Sequence, residues 1–297
     1  MQKILSVIAV LLAVSFYAEG QSFYAARRER SLIVEGGVGT SSYLGDLKND
    51  KDYIDAKPTV NIGLQYYLSN RISVRAEGTW FQLKGDDSKA PLESGRQTRN
   101  LNFESNNFEF NATGHVSLLP MGKRFYQRPG FNIYAFAGVG GLYFNPTTTY
   151  QGQKYALQPL QTELVKYNRF TVVIPMGLGV KFKVGPLFNL SLEGGYRKTF
   201  TDYIDDVSTT HKGPAAFTNP IAAALSDRRP ELTPAQSPAE PGYRRGDPSN
   251  KDAYFLLTAK VEYYLPVQIG GGPNNQRKLY KSRRKYGKPG GGARRRR

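Results

Sequence analysis

The stretch FNLSLEGGYR, residues 188–197, decides the fold, because apolar and polar side chains alternate along it. Phe188, Leu190, Leu192, Gly194 and Tyr196 fall on one face, and Asn189, Ser191, Glu193, Gly195 and Arg197 fall on the other. A period of two residues is typical of a β-strand with two different surroundings. The stretch 255–265, FLLTAKVEYYL, repeats the pattern and predicts a second strand.

Working outward, eight strand-like stretches are found, and six of them alternate clearly; those at 32–44 and 131–143 are richer in glycine. The links between them are alternately long and short. The long links are 45–57, 84–104, 144–169 and 201–252, and the short links are 69–71, 120–130 and 184–187. Short turns at one end and long loops at the other are typical of barrels that cross an outer membrane.

A soluble β-sandwich would show the same alternation, with its apolar face in the core. Three features favour the membrane barrel: an export signal, the regular links, and aromatic residues near strand ends, among them Trp80, Tyr143, Tyr196 and Tyr263. The predicted fold is therefore all-β, an eight-stranded antiparallel transmembrane β-barrel with long outer loops and a disordered basic C-terminal tail.

The expected boundaries follow from composition. Residues 1–20 are interpreted as a signal peptide, with an apolar run at 4–14 and small residues Ala18 and Gly20 before the expected cleavage site. Residues 21–31 form an N-terminal periplasmic segment, 32–265 the barrel and 266–297 a basic periplasmic tail. We expect an outer-membrane location with periplasmic termini, although a reversed orientation, with long links in the periplasm, stays open. The chain has no cysteine, which excludes disulfides and thiolate metal sites.

The polar faces predict a charged interior. The predicted lumen network comprises Arg75, Glu77, Glu109, Lys181, Glu193, Arg197, Lys260 and Glu262, with Glu35, His115 and Lys183 also facing inward. Eight strands leave a lumen that side chains fill, so these charges should pair and seal it. Pro175 lies within a strand and predicts a bulge, and the glycine clusters 36–39 and 138–141 are interpreted as places where strands bend.

Few residues suggest catalysis. His115 and Ser117 share the polar face of one strand, and a buried structural histidine is the favoured interpretation. His211 lies in a long link without an obvious partner, and no GxSxG, HExxH or P-loop motif occurs. Asp202, Asp205 and Asp206 offer oxygen ligands for calcium but lack EF-hand spacing, so a solvated loop is favoured. We expect no enzyme activity, no metal and no cofactor.

The tail carries eleven Lys and Arg and no Asp or Glu: Arg277, Lys278, Lys281, Arg283, Arg284, Lys285, Lys288, Arg294, Arg295, Arg296 and Arg297. Such a segment cannot bury a core and is expected to be disordered by itself. It is interpreted as a site for an acidic periplasmic protein or for anionic outer-membrane lipid, with a plain solvated linker as the alternative. Nucleic acid is disfavoured by the compartment.

Several segments resemble a known family. They are GGVGTSSYLGDL (36–47), RNLNFESNNFEF (99–110), YAFAGVGGLYFNP (134–146), IPMGLGVKF (174–182), EGGYRKTFTDYIDDVS (193–208), LSDRRPEL (225–232) and RRGDPSNKDAYF (244–255). FTDYIDDVS, which contains Asp202, Asp205 and Asp206, and RGDPSNKD are the most specific. The chain resembles the PorG-like outer-membrane barrels of the type IX secretion system of Bacteroidota.

The resemblance implies a non-enzymatic barrel that ties a periplasmic ring of PorK-like and PorN-like proteins to the outer membrane. It also implies a role in protein secretion and, in some species, in gliding motility. The long basic end departs from the family pattern. Two alternatives remain: a lipid-modifying outer-membrane enzyme that uses His115 or loop carboxylates, and a structural or adhesive barrel whose outer loops bind surfaces.

Overall fold

The computed structural model describes residues 30–48, 57–122, 125–232 and 237–267. Ten antiparallel strands account for most of the described chain. They are β1 (Leu32–Leu44), β2 (Lys57–Tyr67), β3 (Ile72–Asp86), β4 (Asn102–Ser117), β5 (Phe131–Tyr143), β6 (Pro146–Tyr150), β7 (Gln153–Ala156), β8 (Phe170–Val184), β9 (Phe188–Thr199) and β10 (Ala253–Tyr264). The long apolar–polar alternations of the sequence thus lie on strands.

Short helices occur only in the links of the described chain. They are α1 (Arg96–Arg99), α2 (Leu157–Leu160), α3 (Pro220–Ser226) and α4 (Arg229–Leu232), with 3₁₀ turns at Asp87–Lys89, Leu92–Ser94, Phe125–Gln127 and Pro214–Ala216. None of the helices in the described segments is long and apolar enough to pass through a membrane.

Eight of the strands close into a barrel. Neighbouring strands along the chain pair in order, except that the hairpin β6–β7 is set aside and β5 pairs with β8. The first and last strands pair from Ile33 with Tyr264 to Leu44 with Ala253, which joins the two ends of the sheet. These eight strands therefore form a closed sheet without a free edge, which is what lipid requires, because an open edge there would leave backbone groups without hydrogen-bond partners.

The burial pattern is inverted relative to a soluble protein. Ile62 and Phe110, on the outer face, expose 67% and 68% of their surface, whereas Glu77 and Glu193, on the inner face, expose 1% and 2%. A sandwich would bury the apolar face, so that alternative is excluded. The expectation of an eight-stranded antiparallel membrane barrel is confirmed, because an outward apolar belt needs lipid around it.

The strands extend further than expected at the end that carries the long links. Strand β3 continues to Asp86 and β4 begins at Asn102, so the link between them shortens to 87–101. The link 144–169, expected to be a loop, contains the hairpin β6–β7, which continues the sheet through the pairs Glu104–Thr147 and Ser105–Pro146. Its turn has left-handed φ angles at Gln151 (48°) and Gly152 (78°), the geometry of a two-residue hairpin turn.

The bulge expected at Pro175 is absent from the strand pairing. Strand β8 keeps the same register with β5 before and after Pro175, from Phe131–Phe182 to Tyr143–Phe170. Only the pairs of residues 138 and 139 are missing. Proline supplies no N–H to the ladder, so it interrupts the pairing without adding a residue. On the other side of β5, Gly138 allows a close approach to β4, since a Cβ at this position would lie 2.1 Å from the carbonyl oxygen of Ala112.

The end of the barrel with the short links is closed from inside. Ile33, Met121, Phe125, Leu187 and Tyr264 form a buried apolar cluster across it. The link between β4 and β5 supplies two of these residues and therefore folds inward as a plug. The predicted signal peptide (1–20), most of the predicted segment 21–31 and the basic tail from residue 268 lie outside the described residues.

Candidate functional site

The centre of the lumen holds a compact ionic network. Arg75 donates from its two terminal nitrogens to Glu193 at 2.8 and 2.6 Å. It also lies 3.1 Å from Glu35 and 3.7 Å from Glu77. Lys260 Nζ contacts the same three carboxylates, at 2.7 Å from Glu193 and 3.4 Å from Glu35, and still closer to Glu77. Two cations thus neutralise most of the charge of three carboxylates, all withdrawn from water.

Two smaller ionic groups flank this network. Glu109 accepts a hydrogen bond of 2.5 Å from the Tyr254 hydroxyl and lies 3.7 Å from Arg197 Nε. Lys181 Nζ lies 2.9 Å from Glu262. The structure therefore places all eight residues of the expected lumen network inside the barrel: Arg75, Glu77, Glu109, Lys181, Glu193, Arg197, Lys260 and Glu262. Pairing makes their burial tolerable, since an unpaired buried charge costs about 3–5 kcal/mol.

His115 lies within the same lumen. Its Nε2 is 2.9 Å from Thr113 Oγ1, and its ring stacks on Phe136 with centroids 5.5 Å apart. Only 2% of the residue is exposed. A general base needs a partner and a substrate within reach, and the hydrogen-bond partner here is a threonine hydroxyl. The arrangement is that of a packed lumen histidine.

Towards the long links, the inward-facing side chains change from charged to apolar. Along β3 the inward side chains run from Arg75 and Glu77 to Phe81 and Leu83, both fully buried. These join a large apolar cluster with Tyr254 of β10, whose ring stacks on Phe81 at 4.7 Å between centroids. The cluster continues into the long links through Leu47, Ile204, Val207 and Leu225. The long links thus form a packed cap over the barrel mouth, defined here as the described residues of 45–48, 87–101, 144–169 and 200–252.

The three aspartates singled out in the sequence are buried in this cap and have different partners. Asp202 accepts from Ser208 Oγ at 2.6 Å, and Asp205 accepts from the backbone of Val207 at 2.9 Å. Asp206 accepts from the Tyr167 hydroxyl at 2.7 Å and from Thr162. The expected solvated loop is therefore wrong, because Ile204 and Val207 insert into the core and carry the aspartates with them.

Arg245 is the main cross-link of the cap. Its Nη1 donates to Glu163 Oε1 at 2.8 Å and to the Asp206 carbonyl at 2.6 Å, and its Nε donates to the Ser226 carbonyl at 3.1 Å. Its side chain is 2% exposed. One guanidinium thus joins the link 144–169 to two separate parts of the link 200–252. A bidentate, planar cation suits this role better than lysine would.

A second cross-link ties Asp252 to Tyr43, at the end of strand β1. Asp252 accepts from the Tyr43 hydroxyl and, at 2.8 Å, from the backbone of Ile204. Burial raises the pKa of Asp205 well above its ordinary value, and neighbouring Asp252 raises it further.

Across the described segments, no group of three or more His, Cys, Asp and Glu side chains is arranged to hold a metal ion.

The pKa values of other cap residues follow from burial and from Arg245. Burial raises the pKa of Asp206 to about 6, although Arg245 opposes the shift. Burial would also raise the pKa of Glu163, but Arg245 and hydrogen bonds from Ser208 and Thr209 outweigh it, so the pKa is lowered. Burial and the charge of Arg245 lower the pKa of His211 to about 4, which keeps its imidazole neutral at pH 7.

Asp202→Asn is expected to stabilise the cap near neutral pH and to weaken its pH dependence. Burial raises the pKa of Asp202 to about 6 from 3.8, so the folded state binds more protons than the unfolded state between these values. The stabilisation from protonated Asp202 is therefore full below about pH 4 and lost as the pH rises through 6. The rate of cap proteolysis at about pH 7 and pH 5 measures this.

Glu240→Gln is the control for this prediction, because Glu240 is an exposed carboxyl of the same link. His211 acts in the opposite direction, since its lowered pKa destabilises the folded cap on acidification. The comparison is therefore made between variants, and not on the pH dependence of the wild-type proteolysis rate alone. An equal gain in protease resistance on acidification in Asp202→Asn and in the wild type would contradict the prediction.

Sequence reasoning missed most residues that build the cap. Glu163, Arg245 and Asp252 carry no periodic signal, although Arg245 and Asp252 lie in the segment RRGDPSNKDAYF, which resembles the known family. Tyr43 lies in the strand predicted at 32–44, on the same face as Glu35. The hairpin β6–β7 did leave a signal, because its threonine run is followed by Gln151-Gly152. Such a two-residue link between β-forming stretches indicates a hairpin.

Comparison with solved structures finds matches that cover most of this chain. The Neisserial surface protein A matches with 10% identity over 79% of this chain and 97% of that chain, at a TM-score of 0.41. Ail of Yersinia pestis, in complex with the heparin analogue sucrose octasulfate, matches with 11% identity over 79% and 98%, at 0.39. OprG from Pseudomonas aeruginosa matches with 12% identity over 80% and 97%, at 0.39. No curated protein sequence matches the chain.

A family model matches residues 5–217 of the 297. The match includes β1 to β9 and the first part of the link that carries the aspartates, and it ends before Arg245 and the closing strand β10. Since the match covers more than half of the chain, this protein belongs to the family described as a domain of unknown function, DUF6089.

Proposed function

We propose that this barrel is a non-enzymatic outer-membrane component of a type IX secretion machinery, and that it anchors periplasmic ring proteins similar to PorK and PorN. One observation carries the proposal: the interior is filled by paired charges and closed by apolar clusters at both ends. A filled eight-stranded barrel offers a rigid membrane anchor. The type IX assignment itself rests on the sequence resemblance.

Three of the segments that carry the resemblance, FTDYIDDVS, LSDRRPEL and RRGDPSNKDAYF, meet in the cap. Arg245, from RRGDPSNKDAYF, donates to the carbonyl of Asp206, from FTDYIDDVS, and to the carbonyl of Ser226, from LSDRRPEL. Their residues are engaged in holding the cap and not in a catalytic arrangement. This supports a structural role for the motifs.

The proposed docking surface lies at the end with the short links. The chain enters and leaves the barrel there, since Leu265 N donates to the Leu32 carbonyl at 2.9 Å. The sequence 118–130 contains Lys123 and Arg124, besides the buried Arg128, and no acidic residue, and eleven further Lys and Arg follow in the tail. Complementary charge steers and orients association, so the ring protein is expected to present an acidic surface. Long links outward and both chain ends in the periplasm belong to this proposal.

Deletion of the tail after Leu265 is expected to remove the ring proteins from a crosslinked pull-down of native outer membranes. The tail contributes eleven positive charges, and such contacts weaken with salt. Quantitative mass spectrometry of the captured proteins measures the loss. Anionic lipid as the partner would instead leave ring capture unchanged and reduce bound lipid.

A chain of full length with the tail Lys and Arg changed to Gln is the matched control, because it separates charge from length. Loss of ring proteins in this control identifies charge as the cause. Retention of ring proteins in both variants moves docking to the barrel turns or loops. Absence of ring proteins from every sample, the full chain included, contradicts the secretion role.

The absence of catalysis is also part of the proposal. The packing of His115 against Phe136, with Thr113 as its hydrogen-bond partner, supports it over the lipid-modifying alternative. Loss of a lipid modification in His115→Ala, with secretion intact, would favour the enzyme instead. Altered surface binding after removal of 201–252, with secretion intact, would favour an adhesive barrel.

A further inference from the structure

A basic cavity opens on the cap, beyond the sealed lumen. It has a volume of about 510 Å³ and lies between the link 87–101 and the second half of the link 200–252. We call it the arginine cleft. Its lining includes the charged residues Arg96, Arg99, Arg229, Arg244, Arg245 and Asp46, together with His211. Five arginines and a single acidic residue thus line one cavity.

Carboxylates behind the lining hold the guanidinium groups in place. Asp87 lies between two of them, 3.0 Å from Arg96 Nε and 2.6 Å from Arg99 Nε. Asp227 lies 2.8 Å from Arg229 Nη2. Since these carboxylates fix the orientation of the arginines, a ligand would meet positioned donors and lose little free energy in ordering them.

Two arginines retain donors for a ligand. Arg229 uses Nε and Nη2 for Asp227, which leaves Nη1. Arg244 uses Nε for the Gly246 carbonyl and Nη2 for Asp247, and its side chain is 73% exposed. Arg245, at 2% exposure, has its donors committed and adds only its charge. Arginine suits phosphate because its planar donors match two oxygens at once.

His211 provides an independent observation. The residue is 5% exposed, and its Nδ1 is buried without a hydrogen-bond partner among the described residues. It lines both the arginine cleft and a neighbouring cavity of about 550 Å³. A buried polar atom without a partner is unusual and calls for an explanation. A ligand hydroxyl or phosphate oxygen at this junction would provide the missing partner.

We propose that the arginine cleft binds a phosphate-bearing ligand, either a phosphorylated sugar from solution or a phosphorylated lipid headgroup of the surrounding membrane. A single phosphate would fill only a small part of the volume, whereas cavities of this size accommodate small organic ligands. The phosphate meets Arg229 and Arg244, and the sugar portion reaches His211. This site is independent of the proposed anchoring role, which concerns the opposite end of the barrel.

The first test is calorimetry with glucose 6-phosphate on the full chain in detergent, with glucose as the reference ligand. Arg229→Gln with Arg244→Gln is expected to weaken binding at least tenfold, since it removes the two guanidinium groups that retain donors for the phosphate. The control, Lys154→Gln with Lys166→Gln, removes equal charge from exposed cap residues outside the cleft and is expected to bind as the wild type does.

A second variant tests the site by gain of affinity. Asp46→Asn removes the only carboxylate of the lining and keeps an acceptor for the backbone N–H of Asp247, which now bonds to Asp46 at 2.8 Å. Removing one repulsive charge is expected to tighten phosphate binding about fivefold. This variant keeps the proposal falsifiable if the arginine variants fail to fold.

The second arm identifies the source of the phosphate. Cap unfolding is compared in nanodiscs of phosphatidylcholine with and without lipid A. Stabilisation by lipid A that the double arginine variant abolishes, without binding of glucose 6-phosphate, identifies a lipid headgroup; the converse identifies a soluble sugar phosphate. If neither ligand distinguishes the wild type from the double arginine variant, and Asp46→Asn gains no affinity, the proposal is overturned.

Discussion

Arg75→Met is expected to lower the free energy of unfolding of the barrel by about 3–5 kcal/mol, the usual cost of breaking a buried ionic group from one side. Arg75 contacts Glu193, Glu35 and Glu77 within 2.6–3.7 Å. Without it, Lys260 alone would face three carboxylates in a space that excludes water. Urea unfolding in lipid vesicles, followed by the shift in gel mobility between folded and unfolded barrel, measures the change.

The control for this prediction is Arg71→Met. Arg71 lies in the exposed short link after β2, so the same substitution there is expected to change stability by less than about 0.5 kcal/mol. Adding Glu193→Gln to Arg75→Met removes one of the stranded charges and is expected to restore part of the loss. A decrease below about 1 kcal/mol for Arg75→Met alone would mean that water or lipid headgroups reach the lumen, contrary to the sealed interior.

Arg245→Met is expected to open the cap while the barrel stays folded. The substitution leaves Glu163 and Asp206 without the cation that lies 2.8 and 3.8 Å from them. It also removes donors from the carbonyls of Asp206 and Ser226. A cost of about 3 kcal/mol raises the open population, and with it the rate of cap proteolysis, by roughly a hundredfold.

Proteinase K digestion in nanodiscs measures the rate, because this enzyme needs no arginine for cleavage. Arg244→Met is the matched control: it changes the preceding residue, whose side chain is 73% exposed. Its digestion rate is expected to stay within about twofold of the wild type. Equal digestion of both variants would show that Arg245 does not hold the cap together.

Alternation in the sequence was sufficient for the barrel wall. A strand places successive side chains on opposite sides, so the run 188–197 by itself separates Glu193 and Arg197 from Leu190 and Leu192. The same rule assigned Arg75 and Lys260 to the interior, where the structure places them. It could not name their partners, because Arg75 and Glu193 are 118 residues apart and meet only when the sheet closes.

The cap shows where the sequence ceased to be informative. Links have no fixed period, so nothing in the order of residues indicated that Ile204 and Val207 would insert into the mouth or that Arg245 would join Glu163 to Asp206. The reversal of the Asp202 prediction has the same origin: an aspartate in a long polar link is normally solvated. Burial there is decided by the apolar neighbours that carry the chain inward.

The sequence alone therefore determined the number of strands in the barrel wall, the faces of those strands and the charged character of the lumen, because these depend on the two-residue period and on link lengths. Only the tertiary structure decided which charges pair, that both ends are closed, and that the long links form a cap with an arginine cleft. These features depend on contacts between residues far apart in the chain, and local periodicity carries no information about such contacts.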